Sequence, residues 1–330
     1  MGVKKIKKLY NNIIMNILEV KNLNVSFEVD DEIYPVVENL NFALEKGKTL
    51  GIVGESGCGK SVSLMSILKL LPKNAIVNAD FINFEGQNIA NLNENEMQKI
   101  RGNKIALIPQ DPMSSLNPLY TIGDQIMEVI RFHQKVSKTE AKELAIEALR
   151  QVNINDAEKR LNDYPHQFSG GMSQRAIIAM ALSCKPKLII ADEPTTALDV
   201  TVQAQIMNLF KEIQQKFDTT IIFVTHDLAL ISQIADEIMV MYNGHVVEKA
   251  NCKEFFNNPL HPYSQGLLGA LPSSEKGILK TIRGQPPTIK ENVTGCKFHP
   301  RCDFASSKCN DRRPDYTERK LGHYVRCWLR

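Results

Sequence analysis

A length of 330 residues allows one large domain, or a main domain with a smaller appendage, because single hydrophobic cores seldom exceed about 250–300 residues. A composition of 43% hydrophobic, 23% charged and 7% aromatic residues excludes the disordered and fibrous classes of protein. The formal net charge of +3 is too balanced for a typical nucleic-acid-binding domain, so we expect no nucleic-acid partner.

The N-terminal segment 1–15 is basic and contains Lys4, Lys5, Lys7 and Lys8. We predict that it is a solvated tail, with binding to anionic lipid headgroups as the alternative. No apolar run reaches the roughly 18–20 residues that a membrane-spanning helix needs, and no signal peptide is recognisable. The sequence therefore predicts a chain that stays in the cytoplasm.

Residues 16–29 are predicted to form a strand, most clearly where Leu23, Val25 and Phe27 alternate with polar side chains. The apolar run 49–53 predicts a short buried strand that leads into a glycine-rich loop. The apolar stretch 61–71 follows this loop and is stopped by Pro72, which predicts a helix. The order strand, loop, helix places the glycine-rich loop between two regular elements.

A segment dominated by helical patterns follows at about 111–185. Within it, residues 138–152 place their apolar side chains on one helical face. Ser137 and Glu140 form a capping box at the start of this helix. We therefore predict a helical insert within an α/β core.

Strand patterns return at 187–191 and 220–224, separated by a helical pattern at 202–217. The order strand, helix, strand implies parallel pairing. After residue 250 prolines interrupt the chain, and four of the seven cysteines lie between positions 296 and 327. We place a domain boundary near residue 250.

A phosphate-binding motif follows the strand at 49–53. Residues 54–61 match the pattern G-x4-G-K-S/T, and a position between strand and helix is the setting in which this pattern binds phosphate. Loop amides and the positive end of the next helix suit the β- and γ-phosphates of a nucleotide, and the Ser61 hydroxyl is a natural Mg²⁺ ligand. We assign nucleotide binding to Gly54, Ser56, Gly57, Cys58, Gly59, Lys60, Ser61 and Val62.

Two carboxylates directly follow the apolar run 187–191. Asp192 fits a Mg²⁺ contact, direct or through water, and Glu193 fits the residue that orients the attacking water and accepts its proton. Ligands of open α/β sheets bind at the carboxyl ends of strands. We therefore expect both side chains near the phosphate loop; an acidic strand end exposed to solvent is the alternative.

A second glycine pair precedes an apolar helix in the segment Phe168-Ser169-Gly170-Gly171-Met172. Ser169 is placed as an N-cap, and the glycines leave the helix amides bare for phosphate. The segment resembles the signature sequence of the ATP-binding cassette family, usually L-S-G-G-Q. Positions 168 and 172 depart from that pattern, whereas the serine and both glycines are intact.

The resemblance implies a hydrolase acting on Mg-ATP and an α/β fold. It implies a P-loop nucleotide-binding domain of cassette type at 16–250, with a mixed β core and the helical subdomain at 111–185. Gln110 matches the hinge glutamine that senses Mg²⁺ and faces the membrane partner, and Asp199 matches the aspartate at the dimer seam.

Two further positions match residues that contact the nucleotide in this family. His226 matches the switch histidine that contacts the γ-phosphate and, with Glu193, completes the predicted catalytic pair. Phe27 resembles the residue that stacks on adenine. Tyr34 is the alternative, because the loop that separates it from Phe27 is longer than usual for the family.

Several stretches are similar to the first ATPase subunit of oligopeptide and dipeptide importers. They include H-Q-F-S-G-G-M-S-Q-R at 166–175, A-D-E-P-T-T-A-L-D-V-T-V-Q-A-Q at 191–205, and H-P-Y-S at 261–264. The region 251–330 resembles the C-terminal extension of that subfamily. The implied function is uptake of di- or oligopeptides; the alternatives are uptake of nickel or another small solute and, more distantly, a soluble cassette ATPase acting on nucleic acid or ribosomes.

The same resemblance implies a set of partners and a location. A second cassette subunit would pair head to tail with this chain, and the subfamily favours a paralogue over a second copy of the chain. Two transmembrane permease subunits and an extracytoplasmic peptide-binding protein would complete the importer. The chain would then sit at the cytoplasmic face of the inner membrane.

The extension carries cysteines at positions 296, 302, 309 and 327, spaced C-x5-C-x6-C-x17-C. Four thiolates suit a 4Fe–4S cluster or a tetrahedral Zn²⁺. The spacing lacks a C-x2-C knuckle, which disfavours a zinc ribbon, and the resembled importer subunits carry a cluster. We predict a 4Fe–4S cluster on Cys296, Cys302, Cys309 and Cys327, with zinc and free thiols as alternatives.

Overall fold

The computed structural model describes residues 16–196, 198–271, 281–291 and 293–330. The predicted basic tail at 1–15 lies outside these residues. Among the helices of the described ranges, none combines the length and apolar character required to cross a membrane.

The strands have the following bounds. They are β1 (Asn16–Val29), β2 (Glu32–Glu45), β3 (Thr49–Val53), β4 (Ala75–Asn78), β5 (Phe81–Phe84), β6 (Gln87–Asn88), β7 (Ile105–Ile108), β8 (Leu188–Asp192), β9 (Thr220–Thr225), β10 (Glu237–Tyr242), β11 (His245–Asn251), β12 (Thr317–Lys320) and β13 (His323–Val325).

The helices alternate with these strands. They are α1 (Lys60–Ile67), α2 (Glu94–Gln98), α3 (Pro112–Ser115), α4 (Ile122–Gln134), α5 (Lys138–Gln151), α6 (Ala157–Arg160), α7 (Gly170–Leu182), α8 (Val200–Phe217), α9 (Leu228–Ile231), α10 (Cys252–Asn257), α11 (Pro262–Gly269) and α12 (Ser307–Asp311). Short 3₁₀ turns lie at Ile89–Asn91, Pro165–Gln167 and His299–Arg301.

The large sheet has the order β12-β13-β11-β10-β3-β9-β8-β7. Its central strands β10, β3, β9, β8 and β7 are parallel, which confirms the predicted parallel pairing of β8 and β9. Because parallel strands point the same way, the loops after β3, β7, β8 and β9 leave the sheet at one edge. The phosphate loop and the predicted carboxylates follow two of these strands.

The large sheet separates two hydrophobic cores. In β8, Leu188 and Ile190 pack on the side of the small sheet, β2-β1-β5-β6 with β4 beside β1, whereas Ile189 and Ala191 pack on the side of the helices. Both faces of the strand are covered, so it is apolar at successive positions rather than alternating. The α/β fold class predicted from the sequence is confirmed.

Helices α3 to α7 lie within the segment 111–185, whose assignment as a helical subdomain stays a prediction. The capping box of α5 is confirmed: the Glu140 N–H donates to Ser137 Oγ (3.2 Å), and the Ser137 N–H donates to Glu140 Oε2 (2.9 Å). The face of α5 that carries Ala141, Ala145 and Leu149 is buried. This face packs in the core on the helical side of the large sheet.

Helix α1 ends at Ile67, so the prediction of a helix to residue 71 was wrong at its C-terminal end. Lys69 adopts a left-handed φ of 52°. The Leu70 N–H donates to the Met65 carbonyl (2.9 Å) and the Lys69 N–H donates to the Ser66 carbonyl (3.1 Å). This Schellman motif closes the helix before Pro72 can act as the stop.

The region after residue 250 joins the large sheet through β13, which pairs antiparallel with β11. Glu248 of β11 is fully buried, and its carboxylate accepts hydrogen bonds from the Leu260 N–H (2.8 Å), the His261 N–H (2.7 Å) and His323 Nε2 (2.8 Å). The main sheet therefore runs across the boundary predicted near residue 250. The division of the chain at that point stays a prediction.

Candidate nucleotide-binding and catalytic site

The loop between β3 and α1 contains the predicted phosphate-binding residues. A Cβ at Gly54 would lie 2.3 Å from the Met241 carbonyl oxygen, so only glycine lets the backbone pass this point. Gly59 adopts a φ of 99° as the N-cap of α1 and provides no side-chain cap. The first amides of the helix therefore stay available for an anion.

Lys60 is buried and lies folded against its own loop. Its Nζ donates to the carbonyl oxygens of Gly54 (2.8 Å) and Glu55 (3.1 Å) and lies 3.9 Å from Cys58 Sγ. Its Nζ is also 4.0 Å from Glu193 Oε1. The ammonium group thus lies between the phosphate loop and the end of β8.

The other predicted loop residues differ in exposure. Ser56 and Gly57 are exposed, Ser61 and Val62 are half-buried, and Cys58 is buried. Burial raises the pKa of the Cys58 thiol, so this cysteine stays protonated and acts as a packing residue.

Asp192 ends β8 and is 4% exposed. Burial raises the pKa of its carboxyl, a hydrogen bond from Ser61 lowers it, and the neighbouring Glu193 charge raises it. Its Oδ1 is buried without a hydrogen-bond partner. A buried carboxylate oxygen without a partner beside a serine hydroxyl is a suitable donor set for Mg²⁺.

Glu193 follows Asp192 with a left-handed φ of 47°, an unfavourable backbone conformation for a residue with a side chain. Its Oε2 accepts hydrogen bonds from Gln110 Nε2 (3.2 Å) and Thr196 Oγ1 (2.9 Å), and His226 Nδ1 lies at 3.2 Å. Three groups therefore orient one carboxylate oxygen. The other oxygen faces Lys60.

Four adjacent parallel strands supply this site. Gln110 follows β7, Glu193 follows β8, His226 follows β9, and Lys60 begins the helix after β3. The side chain of His226 is 60% exposed, so the site is open to solvent on that side. The structure thus brings these four predicted residues into direct contact around one carboxylate.

The predicted signature residues lie elsewhere. Ser169 caps α7 by accepting a hydrogen bond from the Met172 N–H (3.3 Å), and it is exposed together with Gly170. A Cβ on Gly171 would meet Val202 at 2.8 Å, and Asp199 caps α8 through the Val202 N–H (2.9 Å). These contacts lie within α7, within α8 or between the two helices, and none of them reaches the phosphate loop of the same chain.

The two candidates for adenine stacking are cross-strand partners. Phe27 of β1 pairs directly with Tyr34 of β2, and both side chains are half-buried on the same face of the small sheet. The Tyr34 hydroxyl donates to the Glu32 carboxylate. The choice between them stays a prediction.

The structure adds residues that the sequence reasoning missed. Thr196 supports Glu193, and its position three residues later in the same turn is a signal that could have been used. Tyr263 and Arg301 contact Glu55 of the phosphate loop from 208 and 246 residues away. No local pattern announces such distant contacts.

The four extension cysteines line one cavity together with Phe298 and Trp328. Burial, followed by the neighbouring thiols, raises the pKa of Cys296 to about 11. All seven cysteines of the chain are free, and within the described ranges no three His, Cys, Asp or Glu side chains form a group that could hold a metal ion. The ligand of these thiols stays a prediction.

The chain matches two protein families along its length. The family described as ABC transporter matches residues 37–196, and the family described as oligopeptide/dipeptide transporter, C-terminal region, matches residues 247–309. OppD of Escherichia coli, an oligopeptide transport ATP-binding protein, is 48% identical over 300 residues, which cover 90% of this chain and 89% of that protein.

The chain belongs to the ABC transporter family. AppD of Bacillus subtilis, an oligopeptide transport ATP-binding protein, is 46% identical to this ABC protein over 316 residues, which cover 95% of this chain and 96% of AppD. DppD of the same species, a dipeptide transport ATP-binding protein, is 47% identical over 95% of this chain and 94% of its own. The chain is thus an ABC ATPase.

Solved ABC structures share the fold. The dimeric structure of a post-hydrolysis state of the ATP-binding cassette MJ0796 bound to ADP and Pi superposes with a TM-score of 0.64 at 29% identity, covering 71% of this chain and 98% of that one. CbiO1 of Clostridium perfringens, part of the ABC transporter complex CbiONQ, gives a TM-score of 0.62 at 26% identity, covering 74% of this chain and 91% of that one.

We predict that Asp192→Asn stabilises the nucleotide-free ABC protein. Burial raises the pKa of this carboxyl, so the ionised form costs stability above that pKa, and the cost disappears as the pH falls through it. In thermal denaturation at neutral pH the variant should melt about 2–4 °C higher than wild type, and the difference should shrink in acid.

Asp199→Asn is the matched control, because the Asp199 carboxylate is exposed and already accepts a hydrogen bond. This control should show no gain in melting temperature. An Asp192→Asn protein that melts below wild type at neutral pH would contradict this account, in which the buried Asp192 carboxylate costs stability when it is ionised.

Proposed function

We propose that this chain is the ATP-hydrolysing subunit of an importer of di- or oligopeptides. The observation that carries the proposal is the contact of Gln110, His226 and Lys60 with the Glu193 carboxylate beside an open phosphate loop. The remaining predicted roles of the site residues are part of the same proposal.

In this proposal Lys60 exchanges partners when the nucleotide binds. Its ammonium group leaves the Gly54 and Glu55 carbonyls, which it holds at 2.8 and 3.1 Å, for the β- and γ-phosphates. The loop amides and the bare start of α1 bind the same phosphates. A phosphate offers Lys60 a full negative charge in place of two carbonyl dipoles, which favours the exchange.

Ser61, Asp192 and Gln110 would hold Mg²⁺. The fit rests on the partnerless Asp192 Oδ1, because a cation supplies the contact that this buried oxygen lacks. Bound Mg²⁺ would neutralise the negative charge that develops on the phosphates during phosphoryl transfer.

Glu193 would orient the attacking water and accept its proton. Gln110, Thr196 and His226 occupy Oε2, which leaves Oε1 for the water on the side of Lys60. A carboxylate held by three groups loses little freedom when the water binds, and fixed geometry is what phosphoryl transfer needs. His226 would contact the γ-phosphate from the exposed side of the site.

The signature residues would act on the nucleotide of a second cassette. Ser169 and Gly170 are exposed at the start of α7, where Ser169 bonds to its own helix rather than to the phosphate loop of its own chain. A head-to-tail pair would bring them, with Asp199, over the partner's nucleotide. Closure of such a pair excludes water and completes the site.

Peptide import is supported by the relatives. The oligopeptide and dipeptide transport ATP-binding proteins OppD, AppD and DppD match at 46–48% identity over most of this chain. The proposal includes a paralogous second cassette, two transmembrane permeases, an extracytoplasmic peptide-binding protein and a position at the cytoplasmic face of the inner membrane. The proposal divides the chain into a basic tail at 1–15, a cassette domain at 16–250 and an extension at 251–330.

A 4Fe–4S cluster on the extension cysteines is part of the proposal. Four thiols of Cys296, Cys302, Cys309 and Cys327 line one buried cavity, which is the donor set that such a cluster takes. Burial raises the pKa of Cys296, Cys302 and Cys327, so cluster binding must displace protons from these three thiols. When bound, the cluster would tie the separate parts of the extension together.

We expect tagged protein from gently solubilised membranes to bring down two permeases and a second cassette. Proteoliposomes containing this complex and supplied with the external binding protein should take up labelled dipeptide only when Mg-ATP is present on the cassette side. A complex with Glu193→Gln should assemble equally well and take up no peptide, because its attacking water is no longer activated.

Uptake of nickel without uptake of peptide would support the alternative substrate. Copurification of RNA or ribosomal proteins in place of permeases would contradict the importer assignment.

We predict that anaerobically purified protein contains about four irons and four sulfides per chain and absorbs broadly in the visible range. Cys302→Ser should lower the iron content, because it removes one of four ligands. Cys184→Ser is the matched control, since Cys184 is half-buried outside the cavity. Stoichiometric zinc, or metal-free protein with unchanged folding, would reject the cluster.

A further inference from the structure

Glu55, the second residue of the phosphate loop, is held from the C-terminal extension at two points. Its main-chain N–H donates to the Tyr263 hydroxyl (2.9 Å). Its carboxylate forms a bidentate ion pair with Arg301, at 2.5 Å to one guanidinium nitrogen and 2.9 Å to the other. Both contacts join the loop to residues more than 200 positions later in the chain.

Arg301 is only 6% exposed and is fixed by the extension itself. Its Nε donates to the Arg283 carbonyl (2.9 Å), and one terminal nitrogen lies 3.3 Å from the Gly284 carbonyl. The other terminal nitrogen lies 3.4 Å from the Tyr242 hydroxyl. A planar guanidinium whose three nitrogens all have partners can hold a carboxylate in one orientation.

Tyr263 is fully buried between two aromatic rings. Its ring centroid lies 4.7 Å from that of Tyr242 and 5.3 Å from that of Phe298. The hydroxyl is therefore presented to the Glu55 amide by a rigid side chain with little rotamer freedom to lose.

The remaining bonds of Glu55 come from the loop, and the bond from Lys60 is temporary in the proposed mechanism. Its carbonyl accepts hydrogen bonds from Lys60 Nζ (3.1 Å) and the Cys58 N–H (3.3 Å). When Lys60 turns to the phosphates, the loop loses the bonds of Lys60 to Gly54 and Glu55. The contacts of Tyr263 and Arg301, together with the Cys58 N–H, then keep Glu55 in place.

We propose that Tyr263 and Arg301 are positioning residues that hold the phosphate loop in its nucleotide-binding conformation through Glu55. The inference rests on the proposed nucleotide site. A glycine-rich loop has many conformations available, and fixing it before binding lowers the entropy lost on binding. Tyr263 and Arg301 thereby contribute to ATP affinity through Glu55.

The test measures MgADP affinity by calorimetry, Mg-ATP turnover and melting temperature for each variant. Tyr263→Phe removes one hydroxyl and keeps the ring, and it should raise the Kd for MgADP about fivefold, since a partly buried amide loses its acceptor. Tyr316→Phe is the matched control, because the Tyr316 hydroxyl is buried in the same extension without a hydrogen-bond partner. It should leave the Kd within about twofold of wild type.

Arg301→Met should raise the same Kd by about tenfold or more, and Arg301→Lys, which keeps the charge without the fork, should restore part of the affinity. Arg313→Met is the control for docking of the extension, since Arg313 pairs with Glu38 of the cassette rather than with the loop. In the Glu55→Gln background Arg301→Met should have little further effect, because the two side chains act as one unit. The maximal turnover at saturating Mg-ATP should change less than the KM.

Unchanged MgADP affinity in Tyr263→Phe and in Glu55→Gln would overturn the inference, and so would equal losses of affinity in the Arg301→Met and Arg313→Met proteins. These milder variants keep the test decisive if Arg301→Met fails to fold. Failure of the wild-type protein to bind MgADP would instead contradict the proposed nucleotide site itself.

Discussion

The parallel pairing of β7, β8, β9 and β3 is the constraint on which the site of this ABC protein depends. Each strand delivers one functional element to the same edge of the sheet: Gln110, the Asp192–Glu193 pair, His226 and the phosphate loop. Because both faces of the sheet are packed, these strands cannot slip in register without moving apolar side chains out of a core. The positions of the proposed catalytic groups are therefore fixed by burial of the strands that carry them.

The site retains local costs that a purely structural strand end would avoid. Asp192 buries a carboxylate oxygen without a partner, and Glu193 adopts a left-handed backbone conformation. Such features persist where the surrounding structure enforces them and are typical of binding and catalytic sites. The extension further restrains the phosphate loop, because Arg301, which directly precedes Cys302, forms an ion pair with Glu55. The cysteine cavity and the phosphate loop are thus close in the fold, although they are distant in sequence.

The sequence predicted those parts of the structure that depend on local chemistry. The buried strands β3 and β8, the capping box at Ser137 and the phosphate loop each carry a short-range signal, and the structure contains them. The predicted C-terminal end of α1 was wrong. The helix ends in a Schellman motif with Lys69, rather than glycine, in the left-handed position, so the sequence gives no signal for it. The contacts of Tyr263 and Arg301 with Glu55 of the loop could not be predicted, since they depend on how the extension packs against the sheet.

The most direct measurement is equilibrium binding of Mg-ATP together with turnover, made on wild-type, Lys60→Ala and Glu193→Gln proteins. If the loop after β3 binds the terminal phosphates, Lys60→Ala should lose affinity by about tenfold or more. Glu193→Gln should keep its affinity and lose turnover by about a hundredfold or more, because only proton acceptance from the water is removed. Full affinity and turnover in Lys60→Ala protein would contradict the account.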